Sequence, residues 1–129
     1  MTNSELLAVE FVYDYLIKHS STRQRIVNQK LGKKLRDAFN MRTHVHESFI
    51  RKCINHIRTK MNIINQTGDL GWVCGDSDGY WISFSADEIQ AHLYSFQGKI
   101  LKMMTVHQKG QDVLMGKMRT KQLEMFEAD

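Results

Sequence analysis

Proline is absent from this chain, which leaves glycine and short polar clusters as its strong breaks and suits long, uninterrupted helices. Cysteine is nearly as scarce. Cys53 and Cys74 alone have neither a disulfide-framework nor a metal-finger spacing, so reduced thiols in a cytosolic protein are expected. No apolar run approaches the ~18 residues that cross a bilayer, and the N-terminus lacks the basic-then-apolar pattern of a signal peptide, so no membrane partner is expected. No glycine loop followed by Lys-Ser/Thr is present to cradle a nucleotide phosphate, which argues against a nucleotide-driven motor. His44 and His46, two apart with Cys53 and His56 nearby, lack the second pair a tetrahedral zinc site needs. Asp76 and Asp78 lack the downstream glycine and glutamate of a calcium loop. Asp87 and Glu88 read as helix-start residues rather than an acid–base pair. The expectation is a protein with no catalytic residues, cofactor or metal.

Charge is present, and it is segregated. Residues 18–60 carry twelve Lys/Arg against Asp37 and Glu47, a balance of +10. Residues 61–98 contain no Lys or Arg and five acids. A basic block of that density attracts phosphate. Its plainer reading is a solvated lysine-rich surface.

Hydrophobic periodicity divides the chain into helices and a ribbon. Asn3 and Ser4 are candidate caps for a first helix to about His19, with Leu6, Val9, Val12, Tyr13, Leu16 and Ile17 inward. Ser21 and Gln24 fit a capping box for a second helix to about Phe39, with Ile26, Val27, Leu31, Leu35 and Phe39 inward. Thr43 is a plausible cap for a third. Ile50, Cys53, Ile54, Ile57 and Met61 form its inward stripe, and Ser48, Lys52, Asn55 and Thr59 its outward row, flanked by Arg51 and Arg58. Ile63-Ile64 suggests a short strand and Thr67-Gly68-Asp69 a turn. Trp72–Cys74 and Tyr80–Ile82 read as strands around a five-residue loop, Gly75–Gly79. Ser85 and Glu88 open a fourth helix to about His107, with Ile89, Leu93, Phe96, Ile100, Met103 and Met104 as its stripe. Residues 109–129 are polar and read as a weak helix or mobile tail.

An ordered set of residues within this pattern carries a resemblance: Ile50-Arg51, Ile54, Ile57-Arg58, Val73-Cys74, Gly79-Tyr80-Trp81-Ile82 and Ser85-Ala86-Asp87-Glu88. Over roughly residues 22–105 the chain resembles small phage-encoded winged-helix proteins. The resemblance implies a mainly α fold with a small β-ribbon, a winged helix-turn-helix over residues 1–108 followed by a capped C-terminal helix. It also implies DNA binding in phage replication or gene control, in the cytoplasm of a bacterial host cell. Helix-turn-helix proteins read the major groove with the early part of the last helix. His44, His46, Glu47, Ser48, Arg51, Lys52 and Asn55 are therefore the candidates to reach base edges, with Arg42, Lys33, Lys34 and Arg58 on phosphates. The chain departs from the pattern twice. The step Met61–Gly71 is long, and Asp76 and Asp78 make the wing tip acidic where phosphate would want Lys or Arg.

Gln122-Leu123-Glu124-Met125-Phe126 resembles the short motif by which bacterial sliding-clamp partners bind, usually Gln-Leu-Ser/Asp-Leu-Phe. Gln122 would supply an amide to backbone groups, while Leu123, Met125 and Phe126 would fill apolar pockets. The competing reading makes Leu123 and Phe126 a helix end covering the core. A host-protein binder is thus the alternative to a duplex-DNA binder, and a homodimer through the fourth helix is a third reading. Trp72, Tyr80 and Trp81 also suggest base stacking on single strands, although at least one of the two tryptophans is expected in the core.

Overall fold

A computed structural model describes residues 1–127. The fold is mainly helical: α1 (Asn3–His19), α2 (Asn28–Ala38), α3 (Glu47–Lys60), β1 (Trp72–Asp76), β2 (Gly79–Ser83) and α4 (Ala86–Glu127). Two units divide it, Met1–His92 and the segment from Leu93 onward.

In the first unit, Thr2 rather than Asn3 or Ser4 starts α1. Its Oγ1 accepts from the Glu5 amide, and the Glu5 carboxylate accepts from the Thr2 amide, closing a capping box. The buried face of α1 is Ala8, Val9, Val12 and Leu16, and Leu6 and Ile17 stay partly in water. The stripe is therefore rotated toward the small Ala8, which lets the helix pack closely.

The segment 20–27 departs from the expected second helix, which starts only at Asn28, capped by Val27 without a side-chain bond. Ser21 and Gln24 do bond, Ser21 Oγ accepting from the Gln24 amide, but they close a turn. The cause is tertiary. Ile26 must lie extended so that its amide and carbonyl exchange hydrogen bonds with those of Tyr80, both at 2.8 Å. Ile26 is buried there, while Val27 and Phe39, expected inward, are more than a third exposed. Gly32 does not interrupt α2. It is buried in the helix interior, where Val45 packs close to its Cα.

Helix α3 carries the expected inward stripe: Ile50, Cys53, Ile54 and Ile57 are buried and Met61 packs against the same core. Beyond it, Asn65 Oδ1 gathers the Thr67 amide, the Thr67 hydroxyl and the Asp69 amide. That turn lets Ile64 and Leu70 form a single bridge instead of a strand, with Gly68 at φ +84°.

The hairpin is tighter than expected. Strands β1 and β2 pair from Trp72–Ser83 to Asp76–Gly79, so Ser77 and Asp78 alone form the loop. Asp76 Oδ1 accepts from the Asp78 amide and organises the turn. Helix α4 then begins with Ser85 Oγ accepting from the Glu88 amide at 3.4 Å. The Glu88 carboxylate does not close a box. It accepts from the hydroxyls of Ser83 and Thr22 instead, and these bonds lower its pKa.

The second unit is the remainder of α4. The segment expected as a weak helix or mobile tail is helical through Glu127, beyond the expected end near His107. No helix is long and apolar enough to cross a membrane among the described residues.

Candidate nucleic-acid interface

Ile50, Cys53, Ile54 and Ile57 lock one face of α3 into the core, which fixes the outer row of the helix. Ser48, Arg51, Lys52, Asn55 and Thr59 are all exposed. Arg51 is the most available cation on that row. Its side chain is 62% exposed, and its ion pair with Glu47 a turn earlier spans 3.7 Å. Lys52 is engaged: its Nζ donates to Glu5 Oε2 at 2.7 Å. That hydrogen bond, with those from Thr2, holds the Glu5 carboxyl down at about 2. The Thr59 hydroxyl donates back to the Asn55 backbone carbonyl, and Asn55 is exposed.

The two histidines are not on the helix body. His46 is the N-cap of α3 and His44 lies in the preceding loop. The reason is Val45 between them, which is buried, so the chain stays extended until the core contact is made. Thr43 accordingly plays no capping role. Asn28 Nδ2 donates to the Glu47 carbonyl, joining the start of α2 to the start of α3. Lys33, Lys34 and Arg42 are exposed and pair with no carboxylate among the described residues.

Arg58, expected on a phosphate, is turned toward the hairpin. Its Nε donates to the Val73 carbonyl at 2.9 Å and its guanidinium lies 5.6 Å from the Trp72 ring centre. Burial lowers its pKa, so the charge is held there by the carbonyl and the ring. The acidic hairpin tip is likewise used internally. Arg25 pairs with Asp76, lies 3.6 Å from Asp78, and stacks 4.1 Å from the Trp81 ring centre. Nothing in the local sequence singles out Arg25. Its role follows from its place beside Ile26, which the bridge to Tyr80 brings under the hairpin.

Of the aromatics considered for base stacking, Trp81 is in the core at 6% exposure and Trp72 is half-buried, its Nε1 donating to His92 Nδ1. Burial pushes the thiols of Cys53 and Cys74 up to about 11, which disfavours the thiolate form. No group of three or more His, Cys, Asp or Glu is gathered for a metal ion among the described residues.

At the far end of α4, Leu123, Met125 and Phe126 are all well exposed, Phe126 at 86%. Gln122 is exposed beside them on the same helix. Comparison with protein-family models, curated proteins and solved structures finds no match for this chain.

Proposed function

We propose that the chain is a winged-helix protein that binds duplex DNA with α3 in the major groove, in phage replication or transcription control. The observation that carries this reading is the outer row of α3. Ser48, Arg51, Lys52 and Asn55 project from a helix whose opposite face is immobilised by Ile50, Cys53, Ile54 and Ile57. The order of elements supports it as well. Extended Ile26 between α1 and α2 borders β2, which β1 borders on its other side, and this is the arrangement of a small winged-helix sheet.

Arg51 and Asn55 suit bidentate contacts to base edges, and Lys52 reaches DNA by exchanging Glu5 for it. His44 and His46 flank the helix start. Lys33, Lys34 and Arg42 supply phosphate contacts. Arg58 is left out of that set because it already serves the hairpin. Fluorescence anisotropy with random duplex and single-stranded DNA across salt concentrations tests the reading. Duplex binding with a steep negative salt slope is the expected result, and no binding at low salt sinks it.

A second reading is favoured by the exposed Leu123, Met125 and Phe126: a host replication protein, such as the sliding clamp, docks on Gln122–Phe126. Deleting residues 122–129 separates the two. Loss of clamp capture with DNA binding retained is the result expected if both activities are present.

A further inference from the structure

Every described residue from Leu93 to Phe126 is exposed. An amphipathic helix owes most of its stability to burying its apolar face, and this one also carries Gly98, Gly110 and Gly116, each costing about 1 kcal/mol relative to Ala. Most of its apolar residues nevertheless fall on one side, with Tyr94, Leu101, Val106 and Val113 lying outside it. Leu93, Ile100, Met104, Leu114 and Met118 follow one another in steps that return to the same side, with His107 and Gln111 filling the gap and Met103 and Met115 at the borders. An apolar stripe of this length in water, broken at its centre by His107 and Gln111, marks an interaction surface.

We infer that this stripe pairs with the same stripe of a second copy of the chain, antiparallel and centred on His107. The residues are arranged symmetrically about that centre. Ile100 and Leu114 stand seven residues to either side and meet across the pair. Met104 and Gly110 stand three to either side, so a long side chain faces a position with open space around it. Charge selects the same arrangement. Of the cations of this segment, Lys102 and Lys109 lie on the side away from the stripe, whereas Lys121 borders it and stands level with Leu93. A parallel, in-register pair would set Lys121 beside its own copy. Antiparallel helix dipoles add a small favourable contribution. The area is sufficient. Seven apolar side chains each covering roughly 80–90 Å², with His107, Gln111 and two lysine stems, give about 800 Å² per copy, the size of a standard interface.

Sedimentation equilibrium on the full chain over micromolar concentrations is expected to show a reversible dimer. Ile100→Glu and Leu114→Glu should each weaken it at least about tenfold. Both side chains are exposed, so the first unit keeps its fold, which near-ultraviolet dichroism from Trp72 and Trp81 checks. For orientation, Ile100→Cys and Leu114→Cys chains are oxidised separately and mixed. The expected result is a cross-link in the mixture alone, because the two native thiols are buried. A monomer at all concentrations, or a dimer that neither glutamate weakens, overturns the proposal. A cross-link between two Ile100→Cys chains overturns the antiparallel arrangement. None of these outcomes depends on DNA binding.

Discussion

At Gly79 the backbone turns at φ +126°, and a Cβ would lie 2.5 Å from the Ile26 carbonyl carbon. Strain and backbone collision act together there, because Ile26 cannot retreat without breaking its two hydrogen bonds to Tyr80. Gly79→Ala should therefore cost about 3 kcal/mol or more in urea unfolding. Gly68→Ala supplies the control. It meets positive φ but nothing within 4 Å, and about 1 kcal/mol is expected. Glu5 offers a test by pH. Its carboxyl is lowered on folding from 4.5 to about 2, chiefly by the Lys52 hydrogen bond. A lowered carboxyl stabilises the fold above its unfolded value, and that contribution is lost as pH falls from about 4.5 through about 2. Lys52→Ala should return the Glu5 titration toward 4.5 in NMR, whereas an unmoved titration would assign the shift to the Thr2 cap.

Among the elements, α3 serves two surfaces, and its two flanking arginines have separate tasks. Arg58 bonds the Val73 carbonyl at the start of the hairpin, and Arg51 reaches solvent. Arg58→Ala should destabilise the fold by about 1–2 kcal/mol, the half-buried position discounting a charged hydrogen bond, and leave the salt slope of DNA binding unchanged. Arg51→Ala should leave stability within about 0.5 kcal/mol and cost about 1–3 kcal/mol of discrimination between DNA sequences. Paired denaturation and anisotropy measurements on the two variants check this division. The reverse assignment of effects would show that α3 is misplaced as the reader.

For the whole molecule, the segregation of charge is the quantity that matters. The +10 block of residues 18–60 contains α2 and α3, and the acids of the hairpin tip are matched by Arg25 from that same block. If Lys33, Lys34 and Arg42 each meet a phosphate, log affinity should fall with log salt at a slope of about −2.7. That corresponds to a loss of about 40-fold between 50 and 200 mM salt. Lys34→Ala should reduce the slope by about 0.9, and an unchanged slope would remove Lys34 from the interface.

Four helices, the hairpin and the inward face of α3 were legible from periodicity, because 3.6- and 2-residue spacings of apolar side chains survive any tertiary arrangement. Glycine at 68 and 79 marked turns for the same local reason. Other features were decided by contacts between distant residues. Ile26 pairs with Tyr80, 54 positions later, and that bond cancels the helix that Ser21 and Gln24 suggest. Val45 is drawn against Gly32, which delays α3 and removes His44 and His46 from its body. Arg58 and Arg25 look like free cations in the sequence, and only the folded hairpin supplies the carbonyl, rings and carboxylates that hold them. Local spacing determines which segments are helix or strand. Which charged side chains remain free to meet a partner depends on what the fold brings beside them.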